Sequence, residues 1–187
     1  KVLLCMGRLA EKKGVIYLID AFYEIHNYHP ELRLIVAGDG QLRKSLERKV
    51  SMLGLNDKIV FVGFLSGEVK KDYLSLADIF VLPSIVTKEG DAEGLPVTLM
   101  EALAAGKICI ATIESNADYI IENEVSGFLI HGKDPKSLSQ AIQKILLIED
   151  KTKEIMTKKA RKAALKLDWN RIVKKQVQFL FNIQKTN

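Results

Sequence analysis

Ile79-Phe-Val-Leu-Pro83, a polar stretch, and then Glu93-Gly-Leu-Pro-Val-Thr-Leu-Met-Glu-Ala-Leu-Ala-Ala-Gly106 form one strand–loop–helix unit, and its reading decides the fold. Ile79–Leu82 is an unbroken apolar run, suited to a strand buried on both faces and halted by Pro83. A long polar loop follows, from Pro83 to Leu95. The apolar spacing after it predicts a helix over Pro96–Ala105, stopped by Gly106. Pro96 is expected in the first turn, where a missing N–H costs nothing. The entrance of such a helix carries free backbone N–H groups and the positive end of the dipole, so it suits an anion.

The same reading extends over the rest of the chain. Apolar runs predict strands at Val2–Met6, Leu32–Ala37, Ile59–Val62, Ile108–Ala111 and Phe128–Ile130. Between them, helical spacing predicts helices over Gly14–His29, Gln41–Leu53, Lys70–Leu76, Asn116–Asn123 and Lys136–Ile148, the last after the start signal Asp134-Pro135. Gly7–Lys13 reads as a polar loop. Short buried strands alternating with helices imply an α/β fold, a doubly wound, Rossmann-like six-stranded parallel sheet of order 3-2-1-4-5-6. In that order a ligand binds beyond the carboxyl ends of strands 1 and 4. The loops Gly7–Lys13 and Pro83–Leu95 flank that crevice.

The chain of 187 residues, 48% apolar and 27% charged, is long enough for a sizeable core and has the composition of a globular protein. No run reaches the length of a membrane-spanning helix, and no signal-peptide pattern opens it. It opens without Met inside a strand-like run, from which we expect a further N-terminal part. Cys5 and Cys109 fall on strands 1 and 5 with strand 4 between them, about 10 Å apart, too far for a disulfide. Both are expected as buried thiols of a reducing, cytoplasmic compartment. Residues 1–150, read as the sheet domain, carry a net charge of −4, and residues 151–187 one of +9. The basic stretch predicts helices near 151–166 and 169–184, the second capped by Asp168. Such a face is a solvated surface or a peripheral contact with anionic membrane; no nucleic-acid partner is expected. His26, His29 and His131 have no neighbours at metal-ligand spacing and no Asp-x-Asp is present, so no metal is expected.

The chemistry concentrates on the two crevice loops. Arg8 and Lys13 bring a guanidinium fork and a point-charge ammonium, which together can neutralise a diphosphate without a metal. Glu93 and Glu101 lie eight positions apart. Helical side chains lean toward the N-terminus, so Glu101 reaches back to the helix entrance. It sits among Leu99, Met100, Ala102 and Leu103, where an unpaired carboxylate would be costly. A carboxylate is out of place if the ligand is only a phosphate. It fits one that also offers hydroxyls, the profile of a nucleotide sugar. Paired carboxylates for acid–base hydrolysis are the rival reading, but that chemistry has no use for Arg8 and Lys13. Gly38-Asp-Gly40 is an incomplete dinucleotide fingerprint, with Arg43 where the third glycine belongs.

The Glu-x7-Glu spacing of Glu93 and Glu101, together with Gly7-Arg-Leu-Ala-Glu-Lys-Lys-Gly14, resembles the C-terminal, donor-binding half of retaining glycosyltransferases of the family-4, two-Rossmann (GT-B) type, from Val2 to about Ile148. The resemblance implies sugar transfer from a UDP- or GDP-sugar to a glycan, lipid or other acceptor, with no cofactor and no metal. It implies Arg8, Lys13 and Glu93 as the catalytic set, with Glu93 gripping donor-sugar hydroxyls. Glu101 would take the ribose. Gly7, Gly38, Gly94, Leu95, Val97 and Thr98 would line the nucleotide and sugar sites, and Leu65 with Lys70 would meet the base. The leaving diphosphate would help to deprotonate the acceptor, which the N-terminal half would bind along with the last helix. By this reading the chain alone binds donor without turnover. A UDP-sugar epimerase of the related two-domain fold and a non-catalytic nucleotide-sugar-binding module are the alternatives. One departure stands out. Ser115-Asn116-Ala117-Asp118-Tyr119 occupies the place of the family's Gly-Gly-x-Pro-Glu turn, and without the glycine pair a close backbone approach to the sugar is not expected there.

Overall fold

A computed structural model describes residues 1–167 together with Val173 and Gln178. Its six strands are β1 (Val2–Met6), β2 (Arg33–Ala37), β3 (Ile59–Gly63), β4 (Ile79–Leu82), β5 (Ile108–Thr112) and β6 (Phe128–Ile130). All pair in parallel, in the order β3-β2-β1-β4-β5-β6 expected from the sequence. The helices are α1 (Val15–Ile25), α2 (Arg43–Met52), α3 (Gly67–Leu76), α4 (Val97–Ala104), α5 (Pro135–Leu147) and α6 (Asp150–Ala164).

Period-two alternation divides each strand between two apolar layers. Leu3 and Cys5 of β1 face one layer, with Leu18 and Phe22 of α1, Leu46 of α2 and Ile142 of α5. Leu4 and Met6 face the other, with Leu74 of α3, Leu99 and Leu103 of α4, and Ala160 of α6. Both faces being covered explains why the strands read as continuous apolar runs. Phe22 and Phe80 are fully buried, one in each layer. Truncating either to alanine would cost about 3–5 kcal/mol. Cys5 and Cys109 fall in opposite layers and remain free thiols. Burial pushes the Cys5 thiol up to about 12 and raises Cys109 as well.

Several boundaries differ from expectation, each for a local reason. α1 stops at Ile25 rather than His29; residues 26–28 form a turn in which the His29 N–H still donates to the Ile25 carbonyl at 3.1 Å, and Pro30 has no N–H to continue the series. The loop after β1 is not wholly irregular: Glu11–Lys13 form a 3₁₀ turn closed by Gly14 in the left-handed region. α3 starts three residues earlier than Lys70, at Gly67, behind an extended Ser66. Pro96 lies outside α4, as its extended N-cap at ψ 131°, with its carbonyl accepting from the Leu99 and Met100 N–H groups at 3.0 and 3.3 Å. The helix expected over Asn116–Asn123 is reduced to a single 3₁₀ turn, Ala117–Tyr119, with another before it at Ile113–Ser115. Between them Asn116 takes φ 54°, a left-handed conformation that no right-handed helix can pass through. The first basic helix ends as a 3₁₀ turn over Leu165–Leu167. The expected helix near 169–184, its Asp168 cap and its contact with another half lie outside the described residues.

Candidate active site

The carboxyl ends of β1 and β4 adjoin, and the two loops that leave them are bound to each other. The Ile85 N–H donates to the Lys12 carbonyl at 2.8 Å. Gly14, at φ 62°, lets the chain pass so close that a Cβ there would lie 1.9 Å from the Pro83 carbonyl oxygen. The β1 loop is also tied to the β2 loop, since the Leu9 N–H donates to the Asp39 carbonyl at 2.9 Å.

This packing opens a cavity of about 470 Å³, lined among others by Gly7, Arg8, Gly38, Leu65, Lys70 and Thr98. Six of the residues singled out from the sequence therefore line one cavity, while Lys13, Glu93 and Glu101 are not among its lining residues. Glu93 and Lys13 meet across the crevice, with Lys13 Nζ 3.0 Å from Glu93 Oε2. Both side chains are largely buried, at 14% and 12% exposure for Lys13 and Glu93. Lys70 Nζ donates to Glu101 Oε1 at 2.5 Å, joining α3 to α4. Gly94 and Leu95 lie on the loop that enters α4, and Val97 opens the helix with its side chain exposed. By helical geometry the first-turn N–H groups of Val97 and Thr98 have no intrahelical acceptor. Among the described residues no group of three or more His, Cys, Asp or Glu side chains could hold a metal ion, and no helix is long and apolar enough to cross a membrane.

The arrangement leaves Glu93 Oε1 on the loop, and Thr98 Oγ1 and Glu101 Oε2 on α4, buried without a hydrogen-bond partner. Stranded acceptors of this kind are costly unless something donates to them. A ligand rich in hydroxyls could do so. The pairing adds a contact that the sequence did not suggest: Lys70, which lines the cavity with Leu65, holds one of the Glu101 oxygens.

Two residues bearing on Glu93 were not expected. Lys12 Nζ is 3.0 Å from Asp91 Oδ1, 3.5 Å from the Ala92 carbonyl and 3.8 Å from Glu93 Oε1. The hydrogen bond to Asp91, reinforced by the charge of Glu93, raises Lys12 above the usual ammonium range. Asn116 Nδ2 donates to the Glu93 carbonyl at 3.0 Å. For Lys12 the sequence held no signal, because a polar loop does not show which way each lysine points. For Asn116 the signal was its place in the family's glycine turn, since asparagine tolerates the left-handed conformation better than most residues. Asn116 makes the left-handed bend here without a glycine.

The family model for glycosyl transferases group 1 matches residues 1–163. The chain is 37% identical over 145 residues to the amylovoran biosynthesis glycosyltransferase AmsK of Erwinia amylovora, covering 78% of the chain and 35% of that protein. It is 31% identical over 177 residues to an uncharacterized glycosyltransferase of Methanocaldococcus jannaschii, covering 95% of the chain and 44% of the relative. The chain thus spans less than half the length of these relatives. The crystal structure of Anabaena HepE in complex with UDP superposes with a TM-score of 0.85 at 24% identity, over 97% of this chain and 48% of that one.

Proposed function

Because the chain belongs to the group 1 glycosyl transferase family, we propose that it is the donor-binding part of a retaining, metal-independent transferase that uses a UDP- or GDP-sugar. The observation that carries this reading is the meeting of cations and acids across one crevice. Lys13 reaches Glu93 from the opposite loop, and Glu93 on its loop and Glu101 on α4 each hold a buried, unpartnered oxygen. HepE was solved with UDP, which makes UDP the first nucleotide to try.

In this reading the sheet order lays the donor out. Arg8, Lys13 and the N–H groups of Gly94, Leu95, Val97 and Thr98 receive the diphosphate and the neighbouring edge of the sugar. Glu101 Oε2 accepts from the ribose, and Lys70 holds the other oxygen. Glu93 Oε1 accepts from sugar hydroxyls. The Leu65 backbone lies where the base would sit. As the bond from sugar carbon to phosphate oxygen breaks, negative charge grows on the diphosphate. The Arg8 guanidinium and Lys13 ammonium stabilise that charge in place. They do so without a covalent nucleophile, and the departing oxygen can take the acceptor's proton on the same face. A glycan or lipid acceptor belongs to the other lobe of the two-domain fold, so the 187-residue chain alone binds donor without transferring it.

Calorimetric titration with UDP, GDP, ADP and TDP tests this. One of the diphosphates should bind the parent, and Arg8→Ala and Glu101→Gln should weaken it at least tenfold. If none binds, or both variants match the parent, the site is wrongly assigned. For localisation, Lys158, Lys159, Arg161, Lys162 and Lys166 form an exposed basic stretch on and after α6, suited to peripheral contact with anionic lipid. Co-sedimentation with vesicles should then rise with anionic lipid and fall with salt; indifference to both would remove this part of the proposal.

A further inference from the structure

The Glu93 segment is held from two sides. Lys12 takes Asp91 and the Ala92 carbonyl, and the Asn116 amide takes the next carbonyl, that of Glu93. Beyond it stands Gly94, where an added Cβ would have nothing within 4 Å. Asn116 is anchored. Its N–H donates to the Ile113 carbonyl at 2.9 Å, the preceding Ser115 hydroxyl donates to the Thr112 carbonyl at 2.6 Å, and Ser115 and Ala117 are fully buried. Only the Nδ2 end of the amide can meet a carbonyl, which fixes its orientation.

From these contacts we infer that Asn116 is a positioning residue for the donor sugar. It carries a hydrogen bond from the rigid turn after β5 to the Glu93–Gly94 peptide, and so sets the direction of the Glu93 carboxylate relative to Lys13. The inference rests on the reading of Glu93 as the sugar-gripping acid. A glycine at this position could take the same backbone bend but would offer no donor, so in this chain the bend and the tether are combined in one residue. The bond reaches the edge of the sugar site and not the nucleotide end, where Arg8 and Glu101 act. Its loss should therefore weaken recognition of the sugar and leave nucleotide binding alone.

The test uses the full-length protein carrying this chain. Affinity is measured for UDP and UDP-glucose, and for GDP and GDP-mannose, in the parent, Asn116→Gly and Asn116→Asp. Glycine keeps the left-handed bend without the tether. Aspartate keeps the shape but, ionised, cannot donate to a carbonyl. With the nucleotide pair that the parent binds, both variants should hold the free diphosphate within about twofold while the nucleotide sugar weakens about three- to tenfold, the range of one hydrogen bond. Kcat, read by slow donor hydrolysis, should fall with it. Unchanged sugar recognition in both variants overturns the inference, and so does an equal loss for nucleotide and nucleotide sugar, which marks a purely structural role. Failure of the parent to bind either pair would instead refute the donor-site reading on which the inference rests.

Discussion

Replacing Gly14 by alanine strikes the point where the two crevice loops touch. The residue sits at φ 62°, where an L side chain costs about 1–2 kcal/mol. The added methyl would lie 1.9 Å from the Pro83 carbonyl oxygen. An ordinary carbon–oxygen contact is about 3.3 Å, so the β4 loop must retreat by more than about an ångström. That movement pulls the Ile85 N–H from the Lys12 carbonyl, a 2.8 Å hydrogen bond whose net value is about 0.5–1.5 kcal/mol. Together these give roughly 1.5–3.5 kcal/mol of destabilisation, or a fall in Tm of about 3–14 °C for a chain of this size. Gly54→Ala is the control, because Gly54 has a similar φ of 68° and nothing within 4 Å, and so carries only the conformational cost. Urea unfolding followed by circular dichroism reads the difference. The retreat also separates Lys13 from Glu93, so nucleotide-sugar affinity should drop in Gly14→Ala and hold in Gly54→Ala. Equal destabilisation of the two variants, with unchanged binding, would refute the close packing of the loops and the geometry argued from it.

Glu101→Gln should weaken nucleoside diphosphate binding at least tenfold in calorimetry. It should lower stability by less than about 1 kcal/mol, because the Lys70–Glu101 pair remains about 30% exposed and screened by solvent. Asp134 caps α5 by accepting from the Ser137 N–H at 3.0 Å and its hydroxyl at 2.5 Å, and these bonds hold its carboxyl below the ordinary range. With the folded value below the unfolded one, the cap's contribution is present above the unfolded value and is lost as pH falls through the folded one. Asp134→Ala should therefore cost about 1 kcal/mol at pH 7, and the urea midpoints of parent and variant should converge in acid. Cys5 and Cys109, buried and with raised thiol values, should resist a thiol-specific aromatic disulfide reagent at pH 8 until the chain is unfolded; fast labelling of the native protein would show a looser core.

The sheet was legible because its strands are covered on both faces, so each reads as an apolar run wherever it falls; β1, β4 and β6 match expectation to the residue. The crevice was legible for a related reason: once the strand order follows from the α/β alternation, the two motif-bearing loops must adjoin. Helix ends were less so, since Pro96 suits an N-cap as well as a first turn, and the left-handed bend at Asn116 breaks a pattern that apolar spacing alone would continue. The pairings of Lys70 with Glu101 and of Lys12 with Asp91 were not legible. They join side chains 31 and 79 positions apart, and depend on how α3 and the 3₁₀ turn are rotated about their axes.

A crystal structure of the chain with the diphosphate that binds it best tests the central claim most directly. The account predicts phosphate oxygens against Arg8 and the entrance of α4, with a ribose hydroxyl within hydrogen-bond reach of Glu101 Oε2. A diphosphate bound elsewhere, or a ribose turned away from Glu101, would contradict it.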